Sequence, residues 1–281
     1  MGNNNRLHIN KGFRKGLGNL GSELLSVLSS EHKEVFTIND AKKILTKKKS
    51  NVPKLLYDLA VNKWIVKIER GKYLILPLEA GLRPKYRTHP FVIAENIISP
   101  YYIGFLSALN YHGITEQPSP NIFIVTTKKR KRLVFQSEEY VFVCLAEKRF
   151  LGFNEEWINN TKFNISDKEK TVVDCLFIPD YCGGLTEVVK AFREKLDYDK
   201  LYDYAIKMED IAVLKRLGYI LEILKIKTTI TKKLFKLVSG GYCLLDTGGT
   251  RFGVKNKRWK IIENIPKEEP IKESLNKIEL K

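Results

Sequence analysis

Residues 47–77 read KKKSNVPKLLYDLAVNKWIVKIERGKYLILP, and how this stretch folds decides the first third of the chain. Val52, Leu55, Leu56, Leu59 and Ala60 fall within one arc of a helix, while Ser50, Lys54 and Tyr57 lie opposite. One face is built to pack and the other is left to solvent. Ser50 is the expected N-cap, which puts Pro53 near the helix start, where a missing N–H costs nothing. Trp64-Ile65-Val66-Lys67-Ile68 and Tyr73-Leu74-Ile75-Leu76 then read as two strands. They are joined at Glu69-Arg70-Gly71-Lys72, where Gly71 supplies the positive φ of a tight turn.

Upstream, Leu20, Leu24, Val27 and Leu28 recur at helical spacing, and Val35-Phe36 is a short β-prone pair. Thr37, with Asp40 three residues on, opens a second helix through Ile38, Ala41, Ile44 and Leu45. Helix, short strand, helix, helix and hairpin is the order of a winged helix-turn-helix. The expected fold class is therefore α+β: an N-terminal winged helix-turn-helix followed by a larger mixed α/β domain. The expected divisions are a flexible basic lead (1–18), the winged helix (19–80), a linker (81–90), an α+β domain (91–265) and a charged tail (266–281). The lead, rich in Asn, Gly and basic side chains, is expected to add phosphate contacts, and the linker is placed where two prolines and four basic residues break the pattern.

Charge says what the first module would hold. The chain carries 49 Lys+Arg against 32 Asp+Glu, a formal charge of +17, and residues 1–90 hold 18 of the bases and 7 of the acids. The excess is concentrated in that first third, as in a nucleic-acid-binding module joined to a more neutral one. Lys47, Lys48 and Lys49 sit upstream of the positive end of a helix dipole, where they repel one another unless a polyanion is supplied. On double-stranded DNA, Ser50, Asn51, Lys54 and Tyr57 would face the major groove, with Asn51 and Lys54 reaching base edges. Lys47, Lys48, Lys49, Arg70 and Lys72 would neutralise phosphates. A solvated structural module is the plainer alternative for the same lysines.

Other classes leave little trace. No apolar run is long enough to span a bilayer and no signal-peptide core is present, so the expected location is cytoplasmic with no membrane partner. Cys144, Cys175, Cys182 and Cys243 form no Cys-x-x-Cys pair and have no usefully spaced histidine, so neither a metal nor another cofactor is expected, and the thiols are read as free and buried.

In the second module, 91–98 and 101–111 read as helices, the latter ended by His112-Gly113. Three β-rich runs follow at 121–127, 133–146 and 149–164. Lys128, Lys129, Arg130, Lys131 and Arg132 join the first two. They form a second basic patch, or charges that discourage edge pairing. Ser166-Asp167-Lys168-Glu169 is a capping box opening a helix with Val172, Val173 and Leu176 on its apolar face. Further helices are expected at 185–196, 201–207, 211–223 and 232–238, then strands at 242–246 and 258–262.

Taken in order, several segments resemble the AbiEi family, the antitoxin and autorepressor half of type IV toxin-antitoxin and abortive-infection operons. They are ERGKYLILP at 69–77, YYIGFLSAL at 101–109 with His112-Gly113, DKEKTVVDCL at 167–176 with Gly183-Gly184, and Leu244-Leu245-Asp246 before Arg258-Trp259. Their order over residues 20–265 carries the resemblance. The loop Leu245-Asp246-Thr247-Gly248 lacks the proline after Asp that many members carry, and the Lys-Glu tail is outside the pattern. The resemblance implies a non-enzymatic protein whose winged helix binds inverted repeats in its own promoter, as a monomer or a dimer. It also implies a C-terminal domain that counters a nucleotidyltransferase-like toxin, directly or indirectly.

Two alternatives remain open. A metal-dependent nuclease carrying a winged helix would need converging carboxylates, for which Asp174, Asp180 and Glu187 are candidates. Acid-x-Lys occurs only at Glu31-His32-Lys33, Asp40-Ala41-Lys42 and Glu279-Leu280-Lys281, none on an expected core strand. Asp174 itself reads as a solvated or hydrogen-bonded acid on a capped helix. A ligand-sensing regulator would line a pocket with the aromatic residues of 101–109, a spacing that also suits core.

Overall fold

The computed structural model describes residues 13–45, 51–158 and 160–265, and the chain divides between Ile97 and Ile98 into two units. Each is an assembly of helices and sheets, so the fold class is α+β. No helix among the described residues is long and apolar enough to cross a membrane.

In the first unit, α1 (Asn19–Ser30), β1 (Val35–Thr37), α2 (Ile38–Ile44) and α3 (Val52–Val61) precede the hairpin β2 (Ile65–Glu69) and β3 (Lys72–Ile75). The core is Leu24, Leu28, Phe36, Ala41, Leu56, Leu59 and Ile65, the apolar arcs of the three helices closed by two strand residues. β1 pairs antiparallel with β3, and β3 with β2, placing Val35 opposite Leu74 and Ile65 opposite Ile75. The start of α2 is fixed reciprocally: Asp40 N–H donates to Thr37 Oγ1 at 3.2 Å and Thr37 N–H donates to Asp40 Oδ2 at 2.8 Å. Burial pulls the Asp40 carboxyl upward, but hydrogen bonds from Thr37 and the nearby Lys33 and Lys43 outweigh it and hold its pKa below the ordinary value.

Three expectations change here. Asn51 is the N-cap of α3, its Oδ1 accepting from the Lys54 N–H at 3.2 Å, whereas Ser50 lies outside the described residues. The described end of the basic lead is folded onto the unit. Arg14 donates to the carbonyls of Leu76 at 2.7 Å, Pro77 at 2.6 Å and Lys63 at 3.2 Å, and stacks 4.7 Å from the Trp64 ring. Its guanidinium ties the lead to the base of the hairpin. Residues 1–12 and the tail 266–281 lie outside the described residues.

The segment read as a linker is likewise tied down, because Thr88 Oγ1 donates to Glu34 Oε2 at 2.7 Å and Tyr86 OH to the same oxygen at 3.2 Å. α4 (Pro90–Ile97) follows and belongs with the first unit, not the second. Pro90 is its first residue. A proline breaks periodicity in sequence yet suits the first helical position, so the interruption marked a helix start, not a boundary.

The second unit is built on a six-stranded mixed sheet and a helical layer. β4 (Tyr101–Ile103), β5 (Asn121–Thr126), β6 (Leu133–Phe135), β7 (Glu138–Cys144), β8 (Phe153–Ile158) and β9 (Thr161–Ser166) stand in the order β6-β7-β5-β4-β9-β8. β5 runs parallel to β7, and β4 to β9. The helices are α5 (Phe105–Tyr111), α6 (Lys168–Phe177), α7 (Leu185–Lys190), α8 (Tyr198–Lys207), α9 (Ile211–Ile223) and α10 (Ile230–Leu237). α6 packs against α5, α7, α8 and α9 and is the centre of that layer. A small sheet of β10 (Cys243–Leu244), β11 (Val254–Asn256) and β12 (Ile261–Glu263) closes the chain in the order β10-β12-β11.

Several boundaries differ from the sequence reading, each for a tertiary reason. Residues 101–111, read as one helix, are strand β4 and then α5, with Gly104 between them. A Cβ there would come within 2.9 Å of Val125 Cγ2, so β5 claims the first three residues by pairing. Residues 133–146 hold the hairpin β6-β7, turning through Gln136 and Ser137, both at positive φ. α6 is capped by Asp167, which accepts from the Lys170 N–H at 2.8 Å, because Ser166 is a buried strand residue bonded to Ile103 O at 3.3 Å. α7 gives way to a 3-10 turn after Lys190, and β11 had no counterpart in the expectation.

Asp174 proves wholly buried, not solvated: Tyr102 OH donates to Oδ2 at 2.8 Å and Lys170 Nζ to Oδ1. Burial raises the Asp174 pKa against the opposing pull of Lys170 and Tyr102. The thiols are all free but only Cys175 and Cys182 are buried; Cys144 is exposed.

Candidate nucleic-acid interface

The outer face of α3 follows from its apolar arc. With Val52, Leu56 and Leu59 turned into the core, Asn51, Lys54, Tyr57 and Asp58 are left outside, and Tyr57 is 68% exposed. A large aromatic ring held that far out of the core has no packing role to explain it. Lys54 lies three residues before Tyr57, so ammonium and phenol share one helix face. Asp58 and the exposed Val61 complete this surface, and the helical arc that singled out Tyr57 would have found both. Asp58 adds a negative charge to this face.

Asn51 is placed on this face, but capping occupies its carboxamide oxygen. A bidentate contact to adenine uses both amide atoms, so Asn51 can offer Nδ2 while the cap stands.

At the hairpin tip, Arg70 is exposed beside Gly71, whose φ of 79° makes the two-residue turn possible. Lys67, also exposed, precedes it on β2 and was not among the expected contacts. Lys72 has partners within the unit. Its Nζ donates to Ile97 O at 2.9 Å, completing the C-terminus of α4, and lies 3.3 Å from Glu69 Oε1. That cation is therefore engaged within the unit. Lys47, Lys48 and Lys49 lie outside the described residues.

The second expected patch lies in the other unit and is partly turned inward. Lys128 Nζ donates to Ser99 O, the Arg130 guanidinium stacks 4.6 Å from the Phe142 ring, and Arg132 pairs with Glu139 at 3.1 Å. Lys128, Lys129, Lys131 and Arg132 are exposed, so most of this charge still faces solvent.

The carboxylates a nuclease would need to converge have separate partners. Asp174 is held by Lys170 and Tyr102, Asp180 accepts from Thr247 Oγ1 at 2.6 Å, and Glu187 from Thr115 and Lys190. The aromatic residues of 101–109 are buried core.

No family model and no curated protein matches the chain. Among solved structures it is similar to the crystal structure of the RV2827C protein from Mycobacterium tuberculosis, with a TM-score of 0.65 at 12% identity over 96% of this chain and 98% of that one, a likeness that speaks for fold alone.

Proposed function

We propose that the first unit is a winged helix-turn-helix that holds double-stranded DNA, and that the chain is the autorepressor and antitoxin of a toxin-antitoxin operon. One observation carries the DNA half: α3 turns Lys54 and an exposed Tyr57 away from the core, and the hairpin that follows ends in an exposed Arg70. A recognition helix and a cationic wing need that division between packed and presented residues. Lys54, Lys67 and Arg70 take phosphates, while Tyr57 and Asn51 Nδ2 stand nearest to base edges. Arg14 and Lys72 hold the base and the flank of the hairpin, so they act by keeping the wing in place.

Fluorescence anisotropy with a fragment of the chain's own promoter tests this reading. Arg70→Ala should lower the salt slope by about 0.9, the value of one lost phosphate contact, and weaken all sequences alike. Replacing Lys47, Lys48 and Lys49 together with Ala should lower it further. Asn51→Ser keeps an N-cap and removes the carboxamide, so narrowed discrimination between promoter and scrambled duplex assigns Nδ2 to base reading. An Arg70→Ala, Lys54→Ala double variant with native affinity and slope would overturn the assignment.

The antitoxin half rests on the resemblance to the AbiEi family. Its test is the adjoining reading frame: a nucleotidyltransferase-like protein encoded there, whose arrest of growth this chain relieves on co-expression, supports it, and the lack of such a frame or continued arrest overturns it.

A further inference from the structure

We infer that the small sheet at the end of the second unit is a binding platform for single-stranded nucleic acid, separate from the duplex site proposed for α3 and its hairpin. Residues 225–260 contain ten Lys or Arg and one acid, Asp246. Asp180, Glu222 and Glu263 border the stretch in space, bonded to Thr247, Arg258 and Asn256, and exposed aromatic rings interleave its remaining cations. Phe252 is 87% exposed and Tyr242 42%.

The position of Phe252 is built rather than incidental. On one side, Asn264 Nδ2 donates to Thr250 O at 2.6 Å and to Asp246 O at 2.7 Å, fixing the loop that leads in. On the other, Gly253 lies so close to β12 that a Cβ would fall 2.2 Å from Glu263 O, and β11 then pairs with β12. The backbone is pinned before and after the phenyl ring while the ring itself stands in solvent. A ring held this firmly in solvent offers a fixed planar face to a planar partner.

The cations stand around it. Arg251 precedes Phe252, Lys255 follows on β11 with its Nζ 5.4 Å from the Tyr242 ring, and Lys257 is exposed on the turn after β11. Arg258 is spent structurally, paired with Glu222 at 2.7 Å and stacked 4.7 Å from Phe235, which joins α10 to the sheet. Trp259 underneath is wholly buried.

This chemistry selects a polyanion with exposed π faces. In a duplex the bases stack on one another and offer no face to Phe252, whereas an unpaired base does, at about 1–3 kcal/mol for each base stacked on an aromatic side chain. Protein interfaces are depleted in Lys at their centres, which disfavours an acidic protein as the occupant. Single-stranded DNA and RNA share the required groups.

The test uses the full chain and fluorescein-labelled 30-residue oligo-dT and oligo-U in anisotropy titrations. Phe252→Ala should weaken binding about fivefold to a hundredfold, the range of one lost stacking contact, and Phe252→Trp should restore it. Lys255→Glu with Lys257→Glu should weaken binding and flatten the salt slope by about 0.7 per lost contact. With Phe252 this exposed, an unchanged melting temperature confirms that each variant folds. Saturable binding of either oligomer supports the platform. Native affinity in Phe252→Ala overturns it, as does displacement of the oligonucleotide by polyglutamate of equal charge as readily as by unlabelled oligo-dT, which would mark a merely cationic surface.

Discussion

The two units bury charge in opposite ways. Among the described residues, every buried polar or charged side chain belongs to the second unit: Lys170, Asp174, Lys215 and Arg216 lie in its interior beside Ser166, Thr171 and Glu169. The first unit closes on apolar side chains alone and sends its cations outward or, as with Arg14 and Lys72, to carbonyls at its margin. A small three-helix core has nowhere to hide an ion pair. A six-stranded sheet with a layer of six helices does, and it satisfies Lys170 with Asp174, and Arg216 with the carbonyls of Leu176 at 2.7 Å and Leu244 at 3.1 Å. The first unit therefore follows hydrophobic periodicity, and the second follows specific pairing.

That contrast can be broken most sharply at Asp174. Removing one member of a buried pair leaves the other uncompensated, so Asp174→Ala should destabilise the second unit by about 3–5 kcal/mol in denaturant melts. The apolar pair Lys170→Met, Asp174→Leu should recover most of it. A native midpoint for Asp174→Ala would mean the second unit does not depend on pairing at all.

Next in size is Gly218, buried in the middle of α9, where a Cβ would sit 2.0 Å from Trp259 Cζ3. Gly218→Ala should cost about 1–3 kcal/mol through overpacking and shift the fluorescence of a tryptophan that is otherwise fully shielded. Unchanged emission would show that the ring has room the packing denies.

In the first unit the corresponding effect is a local cap. Thr37→Ala should cost about 1 kcal/mol, read as a lower midpoint of the first unit's transition. A drop as large as that of Asp174→Ala would erase the difference between the units.

The smallest effect is in pH. The Asp40 pKa is lower folded than unfolded, so its contribution is full above the unfolded value of about 3.9 and is lost as pH falls through the folded value. Asp40→Asn should flatten the acid limb of stability below about pH 4 and leave it parallel to the native curve at neutrality. Parallel curves throughout would place no charge-dependent bond at that cap.

The order of helices and strands in the first unit was legible because each apolar arc faces one core, and periodicity reports a single buried face well. The Leu24, Leu28, Leu56 and Leu59 set read from sequence is the core observed. In the second unit α9 is also where expected, at 211–223, being long and apolar. Periodicity failed where a residue's surroundings are supplied by distant chain. Tyr101–Ile103 are a strand only because β5 and β9 flank them, and Ser166 could not cap α6 because its backbone was already in β9.

The candidate surfaces divide the same way. Lys54, Tyr57 and Arg70 were legible because helix phase and turn chemistry alone expose them. The partners that Lys72 and Asn51 take within the unit were not legible, because a lysine's charge does not say which carbonyl it will meet, nor an asparagine's amide which N–H it will cap. The platform around Phe252 was hidden by averaging: a net of +6 spread over residues 91–281 conceals the basic run at 225–260.

By itself, the sequence determined the helix faces, the hairpin turn at Gly71 and the basic character of the first unit, since these depend on neighbours within a few residues. Tertiary structure alone decided which charges are spent in pairs and which stand free, and where an exposed ring is held. Those outcomes depend on partners 26, 28, 40 or 72 positions away, as for Arg216 and Lys215 with their carbonyls and Tyr102 with Asp174. Hydrogen bonding and desolvation act on distance in space, and only the folded chain defines that distance.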